Sequence, residues 1–262
     1  IYTRNLGSDT PAARGKLSAS GPDLPPLIKI AYQFSGANKK EIKSLTKQLI
    51  STPKLFNIES VFDIDLKAGI ADIPSLSIKA LGMSTSAKLK AKKINSGSPI
   101  LNGQLEASGP NLPLIMQIAH GVQKTDSGLL KISKKLSKVK SKSFNIKTSF
   151  DADISSGKID LPSLNIDTLG VSIDGNLKGK NIQKNNGSMK GSISIVSKNP
   201  KPLLIALEQF DIAEVLKSIN INTNISGNTS DVRLKPLSFV AIFSGKNIPN
   251  SPVELKIRAD SA

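Results

Sequence analysis

Few side chains in this sequence could do chemistry. His120 is the single histidine, and its counterpart 88 residues earlier (120 − 32) in a repeated stretch is Tyr32. General-base or metal chemistry needs the imidazole itself, so a position that also takes tyrosine reads as structural. Asp63 and Asp65, like Asp151 and Asp153, are paired carboxylates of the kind that exchange protons or hold calcium. Both pairs fall on the polar side of an alternating apolar–polar stretch, with no glycine or glutamate at calcium-loop spacing, so they read as a solvated strand face. Cysteine is absent, which removes thiolate nucleophiles, disulfides and Cys-based metal sites. The phosphate loop GxxxxGK[ST], the dinucleotide loop GxGxxG, the nucleophile elbow and HExxH are all missing. We therefore expect no enzyme, with no catalytic residue, no metal site and no cofactor.

The charge balance says more. Lys and Arg number 36 against 20 Asp and Glu, a net charge of +16, which calls for an anionic partner such as nucleic acid or lipid head groups. Only eight Phe and two Tyr are present, and no Trp. The phenylalanines fall in the apolar register instead of among the lysines, and Arg is scarce beside Lys. Base stacking and bidentate phosphate contacts want the reverse, so we expect no nucleic-acid partner. An anionic membrane surface fits better. No apolar run approaches the roughly 18 residues that span a bilayer.

The elements that carry these residues repeat. Gly15–Leu27 reads GKLSASGPDLPPL and Gly103–Ile115 reads GQLEASGPNLPLI, eight of thirteen positions identical at an offset of 88 (103 − 15). Phe56–Ile94 aligns without a gap to Phe144–Ile182, 19 of 39 positions identical at the same offset. Ile1–Leu6 falls over Leu89–Ile94, so the chain is expected to begin inside a preceding unit. The units read as 1–14 (end of a preceding repeat and linker), 15–102, 103–190, a shortened 191–248, and 249–262 as the opening strand of a following repeat. A fixed period of this kind marks a quasi-linear array.

Within a unit the period is two, which is that of a strand. Ile58, Phe62, Ile64 and Leu66 alternate with polar residues, as do Ile146, Phe150, Ala152 and Ile154. Ile73, Leu76 and Ile78, and likewise Leu161, Leu164 and Ile166, shift register across Pro74-Ser75 and Pro162-Ser163, which predicts a bulge or an edge. Gly82 and Gly170 mark turns. Pro25–Phe34, Pro113–Val122 and Pro202–Phe210 each open with proline and read as short helices. Lys-rich inserts follow the first two: KKEIKSLTKQLI, and GLLKISKKLSKVKSK with Leu129, Ile132, Leu136 and Val139 on one face. These read as basic amphipathic helices able to meet an anionic membrane surface. The fold expected is mainly β with short helices: an elongated, curled antiparallel sheet, a groove, built from repeats of about 88 residues with one or two short helices each.

The stretches LGMSTSAKLKAKKI…GQLEASGPNLPLIMQIA and LGVSIDGNLKGKNI…GSISIVSKNPKPLLIAL resemble the AsmA-like family of bacterial envelope proteins. The resemblance covers most of Leu81–Gln117 and Leu169–Gln209, with an LG turn, a strand ending near LxAxxI, and a following GxLxA…LPxL. The third unit lacks the LG turn in its usual place. The resemblance implies a periplasmic location, with an inner-membrane anchor outside this segment. It also implies a β-groove, apolar inside, that carries phospholipid toward the outer membrane and serves outer-membrane biogenesis, with other envelope proteins as possible partners. In that groove acyl chains lie against Ile58, Phe62, Ile64, Leu66, Ile73, Leu76, Ile78, Ile146, Phe150, Ala152, Ile154, Leu161, Leu164 and Ile166.

Two other readings stay open. The same apolar faces could close on each other as a dry core, making the chain an envelope spacer. A basic nucleic-acid module is the third and most distant.

Overall fold

The computed structural model describes residues 2–4, 11–23, 55–123, 127–139, 142–182, 187–228, 231–244 and 253–259. The Pro25–Phe34 helix and the first Lys-rich insert lie outside them.

Among the described residues, thirteen antiparallel strands form one sheet in strictly sequential order: β1 (Tyr2–Arg4), β2 (Ala12–Gly21), β3 (Phe56–Asp65), β4 (Ile70–Ala80), β5 (Met83–Lys92), β6 (Ile100–Gly109), β7 (Phe144–Asp153), β8 (Lys158–Thr168), β9 (Val171–Lys180), β10 (Ser188–Ser197), β11 (Leu216–Asn228), β12 (Asp231–Phe243) and β13 (Val253–Ala259). The sheet is open and at most weakly curled. β6, β7, β8 and β9 begin 88 residues after β2, β3, β4 and β5 (100 − 12, 144 − 56, 158 − 70, 171 − 83). At about 4.8 Å between strands, the sheet runs roughly 58 Å across its strands.

Alternation makes these strands, and local chemistry ends them. Leu81-Gly82 and Leu169-Gly170 have φ of 57 and 74° and of 54 and 76°, the two left-handed residues of a type I′ hairpin. Leucine at such a φ is strained. Both leucines are buried, and Leu169 belongs to the small core that offsets the strain. At the opposite strand ends the turns are capped by aspartate. The Asp65 carboxylate accepts from the Ala68 N–H at 2.9 Å, and Asp153 accepts from the N–H groups of Ser155 and Ser156 at 3.0 and 3.2 Å. The expected register shifts are bulges. β4 slips against β5 between Ile73 and Leu76, around Pro74, and β8 slips against β9 between Leu161 and Leu164, around Pro162. Each proline sits where its missing N–H leaves no ladder bond broken.

Among the described residues, four short helices stand at one end of the strands: α1 (Leu112–Gln123), α2 (Ser127–Leu136), α3 (Lys201–Ala206) and α4 (Phe210–Val215). Asn111 caps α1, its side-chain oxygen accepting from the Leu114 N–H at 3.1 Å. The fully buried Ser133 ties α2 to α1, donating to the Pro113 carbonyl at 3.3 Å and accepting from the Gln117 amide at 2.9 Å. Leu136 and Val139 pack with Leu169 and Ala206, and Leu112, Met116, Leu203 and Ile205 close round them. The helix expected through Phe210 is instead two. Glu208 adopts φ 63°, which ends α3 and restarts the chain as α4, a helix the apolar pattern did not signal.

Candidate functional site: the apolar face of the sheet

Residues directly opposite each other on paired strands share a face, so the registers can be followed from strand to strand. One rung reads Ala19, Ile58, Ile78, Thr85, Ala107, Ile146, Ile166, Ile173, Ile195, Ile221, Phe239, from β2 to β12. Thr85 alone in it carries a hydroxyl. On the other face a second rung reads Arg14, Asp63, Asp72, Lys90, Asn102, Asp151, Asp160, Lys178, Lys190, Ser226, Arg233. One face is therefore apolar across eleven strands, and the other is charged.

The groove residues expected from the sequence fall accordingly. Ile58, Phe62 and Ile64 on β3, Ile73, Leu76 and Ile78 on β4, Ile146, Phe150 and Ala152 on β7, and Leu161, Leu164 and Ile166 on β8 share the apolar face. The bulges make this possible. Leu161 and Leu164 are three apart, yet they oppose Leu177 and Gly175, which are two apart. Leu66 and Ile154 lie elsewhere, one residue past the ends of β3 and β7 in the turns, and both are exposed. Their N–H groups donate to the carbonyls of Pro11 and Pro99 at 3.1 Å each, extending the ladder by a step. The face also continues where the sequence list stopped. Leu89, Leu105, Ile173, Leu177, Ile193, Ile195, Ile221, Ile225 and Phe239 lie on it. For Ile193, Ile195, Ile221 and Ile225 the signal was the same alternation, in SISIV and ININTNIS, left out because the third unit aligns poorly.

Most of this face is half-buried. Its side chains cover one another sideways, and the described residues form one sheet with no second sheet over it. Leu17, Val232 and Leu234 are 45, 50 and 47% exposed. Aromatic rings reach over glycines of the neighbouring strand. A Cβ built on Gly103 would stand 2.7 Å from Phe150 Cζ, and one on Gly21 would stand 2.8 Å from Phe56 Cε1. The missing Cβ leaves room for each ring against the neighbouring strand.

On the charged face, Asp63 opposes Asp72 and Asp151 opposes Asp160. Such like-charge pairs repel. Cations from the next strands relieve them: Arg14 meets Asp63 at 2.6 Å, Lys90 meets Asp72 at 3.5 Å, and Lys178 meets Asp160 at 3.1 Å. Asp65 pairs with Arg4 at 3.5 Å. Three of the four aspartates singled out as possible acid–base pairs thus serve strand pairing or turns, and Asp151 stands among polar neighbours on the same face. The Ser155 hydroxyl, with the Ser156 N–H behind it, holds the Asp153 carboxyl below its ordinary range. Among the described residues, no three His, Asp or Glu side chains gather as metal ligands would. His120 lies in α1.

Open depressions lie on this polar face. One of about 550 Å³ is lined by Asp174, Asn176, Ser192, Ser194, Asn222 and Asn224, and another of about 520 Å³ by Ser75, Ser77, Ser86, Gln104, Glu106 and Ser149. They form where short side chains leave the backbone uncovered. The apolar face is a broad open surface. No protein-family model, curated protein or solved structure matches the chain.

Proposed function

We propose that this chain is a periplasmic segment of an AsmA-like bridge protein, carrying phospholipid between the inner and outer membranes along the apolar face of its sheet. The observation that carries this reading is the apolar rung that crosses eleven strands without a charge. A lipid sliding across the strands meets isoleucine, alanine or phenylalanine, and once the threonine Thr85, at successive steps of about 4.8 Å. Each methylene taken out of water there contributes about 0.8 kcal/mol, and the contribution is nearly the same at each step, as transport needs. Head groups stay in solvent. In this reading the 88-residue units are interchangeable lengths of groove, and curling of the sheet around the acyl chains completes it. No reaction is required, so no nucleophile or cofactor has a part to play.

Native mass spectrometry of the protein purified from bacterial membranes, with parallel lipid extraction, tests it. Phospholipid should co-purify with the wild type. It should be lost from an Ile146→Asp/Ile166→Asp variant whose far-UV circular dichroism is unchanged. A folded, lipid-free wild type would hand the function to the sealed envelope spacer instead.

A further inference from the structure

The end of the sheet that carries the helices combines two features on one surface. The α3–α4 corner leaves Leu207 53%, Phe210 59% and Ile212 42% exposed, and Ile132 on α2 is 49% exposed. The cause is local: α3 and α4 have six residues each and bury a single alanine apiece, Ala206 and Ala213. Helices that short dock through a small residue and leave their bulky ones outward. Beside them, α2 and the turn after it expose Lys131, Lys134, Lys135 and Lys138, while Leu136 and Val139 face the core. Lys135 and Lys138 reach Glu208 at 3.5 and 3.7 Å. That contact holds the lysine row against the corner that exposes Leu207 and Phe210.

We propose that this rim is a peripheral docking surface for an anionic lipid bilayer. Phe210, Leu207 and Ile132 enter the interface below the head groups, and the α2 lysines lie on the phosphates. Surface apolar residues set among lysines are what such an interface takes up. A nucleic-acid strand would also engage the lysines, but it would leave Leu207 and Ile212 in water and would find one aromatic ring to stack on. This surface is separate from the apolar face of the sheet and does not depend on lipid transport there.

Because the chain has no Trp, Phe210→Trp gives a single reporter. With vesicles of phosphatidylglycerol mixed with phosphatidylcholine, its emission should shift to the blue, and with phosphatidylcholine alone it should not. Sedimentation with the mixed vesicles should weaken with added salt. It should fall about fivefold for each charge removed in Lys131→Gln and Lys134→Gln, and fall again in Leu207→Ser/Phe210→Ser. Circular dichroism checks that each variant is folded. Equal binding to both vesicle types, unshifted emission from vesicle-bound protein, or tighter binding to single-stranded RNA than to vesicles at the same salt would each overturn the proposal. The Ile146→Asp/Ile166→Asp variant should dock normally, so failure of the transport reading leaves this one standing.

Discussion

Gly103→Ala is a small change with a calculable cost. The new methyl would stand 2.7 Å from Phe150 Cζ and 2.7 Å from the Lys88 carbonyl oxygen of β5. Real Cβ atoms do not come that close, so something must move. The ring can lift away from the strand, but the carbonyl belongs to the β5–β6 ladder and cannot shift without lengthening ladder bonds. Overpacking of this kind costs about 1–3 kcal/mol, whereas the loss of glycine freedom in the unfolded chain returns only about 0.4–1 kcal/mol. The net expectation is a destabilisation of about 1–2 kcal/mol. Gly109→Ala is the control. Its methyl would meet Met83 Cγ at 2.7 Å and Phe144 Cε1 at 3.1 Å, both side-chain atoms, one of them on a flexible thioether, and it should cost less. Urea titrations followed by circular dichroism read both as shifts in midpoint at unchanged slope. A double variant with Phe150→Ala removes the ring but keeps the carbonyl clash, so part of the Gly103→Ala penalty should survive in it. If Gly103→Ala is as stable as wild type or more so, the close packing of Phe150 on β6 is wrong.

Deleting Ser163 should take up the extra residue of the β8 bulge and leave Leu161, Leu164 and Ile166 on the apolar face in regular pairing; cooperative unfolding is expected to survive, with a lowered midpoint because Pro162 then stands in the regular ladder without an N–H to give. Lys178→Gln should cost no more than about 1 kcal/mol, because the pair with Asp160 is largely solvent-exposed on the lysine side, and the difference from wild type should shrink in high salt. Asp153→Asn tests the turn. A carboxyl held below its ordinary pKa in the folded chain adds stability that is present above the unfolded value of about 3.9 and lost as pH falls through the folded value. The wild type should therefore outlast Asp153→Asn at neutral pH and converge with it in acid, as thermal melts across that range would show.

The strands were legible because each one repeats a simple physical demand. Phe56, Ile58, Phe62 and Ile64 alternate because one face of β3 carries the charged side chains and the other the half-buried apolar ones, and the same period put Ile146 and Phe150 on a common side. The Pro74 and Pro162 bulges could be read because the alternation breaks at a residue that cannot donate a ladder bond. The rung from Ala19 to Phe239 could not be read, since it depends on strict sequential pairing, and alternation alone allows other orders. Val196 and Ile70 show a further limit, being apolar yet exposed on the charged side. The break at Glu208 was hidden as well: a left-handed glutamate carries no propensity signal, and PLLIALEQF looks continuous. The buried polar link through Ser133 was equally silent, because a serine gives no hint of which carbonyl it will reach.

The four strands β2–β5, and again β6–β9, carry a consequence of parity. An even number of antiparallel strands returns the chain to the side from which it set out. The long connection from β2 to β3, the helices between β6 and β7, and those between β10 and β11 therefore leave from the same side of the sheet. Lengthening by such sets keeps one margin plain and the other ornamented, whatever the count. A set of three or five would send the next helix pair to the opposite margin. Growth by fours thus keeps the two margins distinct, so one can take on new contacts while the other stays a row of connections of seven residues or fewer.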